Sequence, residues 1–437
     1  MSTHIKRVQS RRIWDSRGRP TVEVDVILEN GIRGRGVAPA GASRGSREAV
    51  DLRDGGHAFG GWGIERALAN VNGPIAKALV GLDVMDQQVI DDALIALDRS
   101  PTKAEIGGNA TIACSLATLH AAAASAGLPL WRYLAGGHPV RLPLPAIQIF
   151  GGGAHAGRRV DVQDFLIMPV GADSFEEAMV MTAEVYRTAG QLMHDSGRRH
   201  GVADEGGWWP DFKSNEEALE MLTRAIDAAG YRHDQVAIAL DIAASEFGSG
   251  GSGGRYTLGL ERQTYDTGEW LEVLTGWVAR YPILSVEDPF AEDDAAGMSA
   301  FTAAVGQRIQ VVGDDFLVTN AALVRDAIAQ RSCNAVLLKP NQAGTVSETR
   351  AAMEAARAAN WGRIVSARSG ETEDVTIVHL AIGWNTGQLK VGSFARSERM
   401  AKWNECLRIE QEMGAAAVYA GRKALTVLSK STVQAER

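Results

Sequence analysis

The chain has 437 residues, of which 45% are hydrophobic and 22% are charged, as is usual for a soluble globular enzyme of two or three domains. Its formal net charge is −8, and without a basic stripe to neutralise phosphates we expect no nucleic-acid binding. No apolar run approaches the ~20 residues that span a bilayer, so we expect no membrane insertion.

Two features predict a reduced, cytoplasmic compartment. The three cysteines, Cys114, Cys333 and Cys406, form neither a CxxC pair nor an even set. The first twelve residues are polar and basic and lack the apolar stretch of a signal peptide.

The first part of the chain mixes strand-like and helix-like patterns. Apolar and polar residues alternate around His4–Trp14 and Thr21–Val37, as in half-buried strands. Helical spacing follows at Ile64–Val80, Asp86–Leu97 and Ala110–Ala126. We predict an N-terminal α+β capping domain over residues 1–140, followed by a proline-containing linker over residues 141–146.

A different rhythm begins after this linker. Short apolar runs recur, each ending in a charged or polar residue, at Asp241, Glu287, Asp314, Lys339, Ser369 and Lys390. After a first gap of 46 residues, the gaps are 21 to 30 residues, enough for a loop, a helix and a strand. Parallel strands alternating with helices give this spacing, and functional residues at their carboxyl ends are typical of barrel enzymes. We predict a catalytic α/β barrel over residues 141–437, with an open doubly wound sheet as the alternative.

A glycine-rich tract, Gly248 to Gly254, contains a formal GxGxxG match. A dinucleotide-binding loop of this kind requires a helix directly afterwards. The following RYTLGLERQTY has the pattern of strand and turn, so we predict a surface loop.

Three of the strand-end residues, Asp241, Glu287 and Asp314, are carboxylates that a barrel would bring to one mouth. Hard oxygen ligands on rigid strands suit Mg²⁺, which keeps some positions open for water or substrate. Acids at such positions can also cap helices or pair with arginines, and that alternative stays open for each one alone. As a set they predict a magnesium site.

Lys339 and Lys390 also end apolar runs, where an unpaired lysine is costly. Metal charge or a second cation lowers the pKa of a lysine, which can then act as a base near neutral pH. We predict that one lysine is a base and that the other binds a substrate carboxylate. A structural ion pair is the alternative for either.

Two glycine-rich segments carry further polar residues. Glu205 lies in VADEGGWWP, and His155, Gln163 and Asp164 lie in GGGAHAGRRVDVQDF. Glycines let backbone and ligand approach closely, and a carboxyl group here could protonate a departing hydroxyl. Ordinary polar loops are the alternative.

Nine sequence blocks, in order from about residue 5 to residue 412, resemble the enolase family. They are DSRGRPTVEVDV, GGGAHA…QDF…MPVGA, DEGG, ALDIAASEF, SVEDPFAEDD, VGDD…VTN, LLKPNQAGTVSET, SARSGETED and FARSERMAKWNECLRIE. The resemblance implies an enolase-type modified TIM barrel, at least a homodimer, and a hydro-lyase that eliminates water from 2-phosphoglycerate.

The resemblance also implies roles at the matching positions. Asp241, Glu287 and Asp314 would hold the Mg²⁺ that chelates the substrate carboxylate. Lys339 would remove the proton from the carbon bearing the phosphate, and the metal and Lys390 would stabilise the resulting enediolate.

On the leaving-group side, Glu205 matches the acid that helps hydroxide leave. Asp164 stands where enolases carry a glutamate supporting that acid, and Ser43 matches a loop serine that binds a second Mg²⁺ during turnover. The other predicted substrate-binding residues are His155 near the leaving group, Gln163, and the phosphoryl-binding pair Arg368 and Ser369.

The departures from the family gather at the active site. Ala367 replaces a phosphoryl-pocket histidine, and losing a hydrogen bond to a charged group costs ~1.5–3 kcal/mol. Asp164 is shorter than the usual glutamate by one C–C bond, ~1.5 Å, and misplacement of that order can cost ~10²-fold in rate. Arg44 replaces a loop threonine, and Trp208 and Trp209 replace a smaller Phe-Ala pair. We therefore expect retained proton abstraction with an altered substrate.

These features predict a Mg²⁺-dependent dehydratase acting on 2-phosphoglycerate or a close phosphonate-bearing analogue. Because Ala367 frees volume and Arg44 could add charge, one alternative is a carboxyphosphonoenolpyruvate synthase of phosphonate and phosphinate natural-product biosynthesis. An acid-sugar dehydratase or racemase is disfavoured, since QDF stands where those families carry Lys-x-Lys. A non-catalytic binding or scaffold protein is the remaining alternative.

Overall fold

The computed structural model describes residues 2–251 and 253–427. Its N-terminal domain is an α+β unit. Its antiparallel sheet has the strands β1 (Ile5–Trp14), β2 (Pro20–Leu28) and β3 (Arg33–Val37). Its helices are α1 (Glu65–Asn70), α2 (Ala76–Leu79), α3 (Gln87–Ala96), α4 (Gly108–Ser125) and α5 (Leu130–Ala135), with a π-helical turn, Val71–Ile75, between α1 and α2. The segment predicted as one strand up to Val37 is therefore a hairpin of two strands.

Helix α4 packs directly on the sheet, and its alanine-rich sequence explains how. Nearly every residue of this helix is buried. A Cβ atom added at Gly34 would lie 2.1 Å from the carbonyl oxygen of Ala117, and one at Gly36 would lie 2.3 Å from that of Ala113. Small residues on both surfaces thus allow the helix backbone to approach strand β3.

The C-terminal domain is a closed eight-stranded barrel in the order β4-β5-β6-β10-β11-β12-β13-β14. Its strands, with the small sheet β7–β9, are β4 (Leu144–Gly151), β5 (Asp164–Met168), β6 (Ala237–Asp241), β7 (Gly248–Ser249), β8 (Arg255–Leu258), β9 (Gln263–Asp266), β10 (Ile283–Glu287), β11 (Gln310–Gly313), β12 (Ala335–Leu338), β13 (Gly362–Ser366) and β14 (Gly387–Ser393).

Helices surround this barrel and supply its outer layer. They are α6 (Phe175–Asp195), α7 (Asn215–Ala228), α8 (Thr267–Arg280), α9 (Ala295–Val305), α10 (Ala321–Gln330), α11 (Pro340–Ala343), α12 (Val346–Ala358), α13 (Thr376–Gly383) and α14 (Ser397–Met413). Short 3₁₀ turns lie at Ala58–Gly61, Gly153–Ala156, Ala244–Glu246, Gly414–Ala416 and Gly421–Ala424. The predicted α/β barrel is confirmed.

The barrel departs from the predicted all-parallel alternation at its start. Strands β4 and β5 follow each other without a helix, and β5 pairs antiparallel with both β4 and β6. Because β5 runs in reverse, its first residue, Asp164, lies opposite Asp241 at the carboxyl end of β6. The predicted linker over residues 141–146 is also too long, since β4 already begins at Leu144.

The glycine-rich tract is a hairpin connection rather than a dinucleotide site. Gly248–Ser249 and Arg255–Leu258 are antiparallel strands, so no helix directly follows the tract. The predicted surface position agrees with the exposure of Ser249 and Gly251; Ser252 lies outside the described residues.

Two further observations concern the cysteines and the apolar character of the helices. All three thiols are buried and free of disulfides. Among residues 2–251 and 253–427, no helix has both the length and the apolar character that crossing a membrane requires.

Candidate active site

The mouth of the barrel at the carboxyl ends of its parallel strands opens into a cavity whose empty space, open solvent included, is about 330 Å³. Ten of the twelve predicted site residues line it: Ser43, His155, Gln163, Asp164, Glu205, Asp241, Lys339, Arg368, Ser369 and Lys390. The other two, Glu287 and Asp314, are buried in ion pairs with the two lysines of the cavity. The structure thus brings the whole predicted set together.

Lys390, on β14, is the positive centre of the first carboxylate cluster. Its Nζ lies 2.7 Å from Asp241 Oδ2, 2.8 Å from Glu287 Oε1 and 3.5 Å from Asp164 Oδ2. Asp241 and Glu287 are register partners at the ends of parallel strands β6 and β10, so both carboxylates reach the same ammonium. Burial lowers the pKa of Lys390, but the Asp241 and Glu287 charges outweigh burial and raise it well above its ordinary value.

Lys339 directly follows β12 and pairs with Asp314, which follows β11. Asp314 Oδ1 also accepts a hydrogen bond from Gln342 Nε2 at 2.9 Å. Burial lowers the pKa of Lys339, but the carboxylate in contact with it raises that pKa above its ordinary value. The sequence predicted a lowered pKa for a catalytic lysine. The pKa of Lys339 is raised instead, because its amine is in contact with the Asp314 carboxylate.

The carboxylates that contact the two lysines have the chemistry that a hard cation needs. Asp241, Glu287 and Asp314 are at most 5% exposed, and burial, followed by the Asp241 charge, raises the pKa of Glu287 well above its usual range. Buried carboxylates that repel each other require nearby positive charge. By donor type, these carboxylate oxygens suit Mg²⁺, and the lysines are the cations that the protein itself supplies.

A neighbouring acidic group, Asp288, Asp314 and Asp315, brings ligand atoms within 4.8 Å of one another. Its central carboxylate already has protein partners, because Asp288 accepts the backbone N–H groups of Asp314 at 2.8 Å and Asp315 at 2.7 Å. Burial and the Asp314 charge raise the pKa of Asp288 to about 8. Asp288 thus fixes the backbone that presents Asp314 to Lys339.

His155 joins two carboxylates on another wall of the cavity. Its Nδ1 lies 3.0 Å from Asp164 Oδ1, and its Nε2 lies 3.6 Å from Glu205 Oε1. Burial lowers the pKa of His155, but the charges of Glu205 and Asp164 outweigh it and raise the pKa to about 9. Burial by itself would raise the pKa of Asp164, yet His155 and Lys390 bring it below its ordinary value. His155 therefore lies between two carboxyl groups.

Gln163 connects this wall to the carboxylate cluster. Its Nε2 donates to Asp241 Oδ2 at 3.1 Å. Its Oε1 is buried without a hydrogen-bond partner among the described residues, so this oxygen is a ready acceptor for a ligand in the cavity.

Arg368 and Ser369 occupy the predicted phosphoryl side. Arg368 donates to Glu48 Oε2 at 2.9 Å and to the carbonyl oxygen of Ser43 at 3.0 Å. Ser369 Oγ accepts from Arg17 Nη1 at 3.1 Å. The sequence reasoning missed Glu48 and Arg17, although Arg17 lies within the first enolase-like block.

The loop that carries Ser43 is held against the barrel. The N–H of Gly45 donates to Glu48 Oε1 at 3.0 Å, and Arg47 donates to the carbonyl oxygen of Phe316 at 2.9 Å. Arg44 lies 4.0 Å from Asp51, with 43% of its side chain exposed. The prediction that Arg44 adds charge to the pocket is therefore wrong, because its side chain is paired outside the cavity.

Trp208 supports the turn that carries Glu205. Its ring stacks on Tyr186 at 4.8 Å between centroids, and its Nε1 donates to the carbonyl oxygen of Tyr186 at 2.9 Å. The Tyr186 hydroxyl donates in turn to the carbonyl oxygen of Gly206 at 2.8 Å. The larger aromatic residue therefore packs behind the turn.

Two family models match the chain. The model described as the enolase N-terminal domain matches residues 5–134, and that described as the enolase C-terminal TIM barrel domain matches residues 139–428. The chain is also 48% identical over 417 residues to Enolase 1 of Desulfitobacterium hafniense (strain Y51), with 95% of each chain covered.

Proposed function

The chain belongs to the enolase family and is an enolase-type lyase, and we propose that it eliminates water from 2-phosphoglycerate or a close phosphonate-bearing analogue. The observation that carries this proposal is one cavity in which two buried lysines, a set of carboxylates and the Arg368–Ser369 pair meet. A phosphorylated or phosphonylated carboxylate has complementary charges for these groups.

Asp241, Glu287 and Asp314 would hold one Mg²⁺, and Ser43 a second. Bound there, Mg²⁺ supplies positive charge that draws the substrate carboxylate and acidifies the adjacent C–H bond. The buried carboxylate oxygens and the raised pKa of Glu287 support this assignment.

The two lysines act on the carbon next to the substrate carboxylate. Lys339 takes the proton from this carbon and becomes an ammonium group. Loss of the direct contact with Asp314, as when that carboxylate binds a cation, lowers the pKa of Lys339 so that the amine can be a base. The Lys390 ammonium faces the negative charge that develops on the substrate.

The His155 wall serves the leaving group. Glu205 protonates the departing hydroxyl, and Asp164 and His155 hold this acid in place and set its charge environment. The contacts of His155 with both carboxylates support this arrangement.

Ala367 favours a second candidate on the phosphoryl side. It lines the cavity next to Arg368 and presents only a methyl group there. Carboxyphosphonoenolpyruvate synthase, which acts on a substrate with a larger carboxyphosphonyl group, is therefore the alternative. The deciding experiment is Mg²⁺-dependent water loss from 2-phosphoglycerate. A kcat within the usual range of ~1–10³ s⁻¹ would eliminate the specialised substrate, and no turnover would favour it.

A non-catalytic role is tested by calorimetry. Titration with Mg²⁺ and a hydroxamate mimic of the enolate should give metal-dependent binding if the cavity is an active site. Lack of any metal-dependent heat would favour a scaffold protein.

We further propose a cytoplasmic homo-oligomer, a dimer or larger, with a capping domain over residues 1–140 and a catalytic domain over residues 141–437. Light scattering on the purified protein tests the assembly. A monomeric mass at all concentrations would contradict this part of the proposal.

A further inference from the structure

Gln148 is the polar residue of an otherwise apolar strand and contacts Asp164, the carboxylate that is expected to support the candidate acid. It belongs to β4, whose sequence is LPAIQIFG, and its side chain is fully buried. A buried amide side chain is costly unless both its oxygen and its nitrogen have partners. The oxygen of this amide has one partner, and the nitrogen has two, of which the more distant is His155 Nδ1 at 3.5 Å.

The amide of Gln148 bridges two segments of the cavity wall. Its Nε2 donates to Asp164 Oδ1 at 2.5 Å, and its Oε1 accepts the backbone N–H of Gly207 at 2.8 Å. Asp164 begins β5, and Gly207 lies two residues after Glu205. One planar group therefore sets the distance between the Asp164 carboxylate and the turn that presents Glu205.

Two glycines make the room for this bridge. A Cβ atom at Gly207 would lie 2.4 Å from Gln148 Oε1, and one at Gly151 would lie 3.1 Å from the same oxygen. The second contact of Asp164 Oδ1 is His155 Nδ1 at 3.0 Å. The short carboxylate at position 164 is thus reached by the long amide at position 148.

We propose that Gln148 is a positioning residue for the leaving-group side of the reaction, which holds Asp164 and the Glu205 turn at the separation that proton donation needs. This inference rests on the proposed function. It predicts that the lengths of the side chains at positions 148 and 164 are coupled. Asn at position 148 together with Glu at position 164 should therefore work in place of the natural Gln and Asp.

The test compares Gln148→Asn, Asp164→Glu and the double variant. Shortening the amide by one C–C bond, ~1.5 Å, should lower kcat for water loss about 10²-fold with a small change in KM. The Lys339-dependent exchange of the substrate α-proton with deuterium should persist, because that chemistry uses the other wall. The double variant should regain at least tenfold over Gln148→Asn, and effects of the single variants that simply multiply would overturn the proposal.

Gln310→Met is the matched control for destabilisation alone. Gln310 is also a buried barrel glutamine, bonded to Ser285 Oγ and Gln388 Oε1 at 3.0 Å each. This variant should lose stability while kcat stays near the wild-type value. A similar loss of kcat in Gln310→Met would contradict a positioning role for Gln148.

A crystal structure of Gln148→Asn answers the question without any substrate. The Glu205 turn should move by about 1 Å toward or away from Asp164, since the bridge no longer spans the gap. An unchanged Glu205 position would overturn the inference. If the wild-type enzyme neither turns over nor exchanges the α-proton while the turn still moves, the proposed function fails, although Gln148 is then shown to hold the Glu205 turn in place.

Discussion

Replacing Lys339 by Met should separate proton abstraction from folding most cleanly. Methionine keeps much of the side-chain volume but removes the amine that pairs with Asp314. Loss of a general base costs ~10²–10⁴-fold, so α-proton exchange in deuterated buffer with Mg²⁺ should fall by at least ~10²-fold. Asp314 keeps the hydrogen bond from Gln342, so the cost of the broken buried pair should lie near ~3 kcal/mol, the lower end for such pairs.

The assay follows the substrate C–H signal by proton NMR, with denaturant midpoints measured on the same samples. Lys103→Met is the control, because Lys103 is buried as well and pairs with Glu348 at 2.9 Å away from the cavity. That variant should lose stability and keep exchange. Exchange by Lys339→Met within threefold of wild type would refute Lys339 as the base.

Three further results are expected. Ala367→His should raise kcat/KM for 2-phosphoglycerate by about one to two decades through a hydrogen bond worth ~1.5–3 kcal/mol; an unchanged ratio would count against phosphoryl contact there. Because the pKa of His155 is raised to about 9, its stabilising contribution is complete below pH ~6.5 and is lost as pH rises through about 9. The denaturant midpoint should therefore fall over that interval in wild type and less so in His155→Gln. Tyr256→Phe removes the bond to Asp294 at 2.7 Å and should cost ~1–3 kcal/mol in denaturation while leaving kcat unchanged.

The sequence predicted the strand ends at Asp241, Glu287, Asp314 and Lys339 because the signal there is local. The same prediction is wrong for Lys390, which lies inside β14, and for Ser369, which lies three residues beyond the end of β13. An apolar run that ends in a charged residue, as at Asp241 or Lys339, reports a buried strand and its functional end together. The reversed strand β5 has no such signal. Its direction follows from pairing with two neighbours, and a short apolar run has the same pattern in either direction.

Residues that support the site were harder to find for another physical reason. Glu48 and Arg17 reach Arg368 and Ser369 from the N-terminal domain, and contacts between domains leave no spacing in the sequence. Gln148 did leave a signal, a single polar residue in an apolar strand, but only the structure supplies its partners. Arg44 shows the converse, since charge in a loop next to a site does not fix the direction of a side chain.

The central claim is that Asp241, Glu287 and Asp314 share a divalent cation beside Lys339. Anomalous diffraction from crystals soaked in Mn²⁺ measures this directly. The account predicts a peak bounded by these three carboxylates, with the Lys390 ammonium displaced from the short contacts that it makes with Asp241 and Glu287. A peak instead among Asp288, Asp314 and Asp315, or between His155 and Glu205, would contradict it.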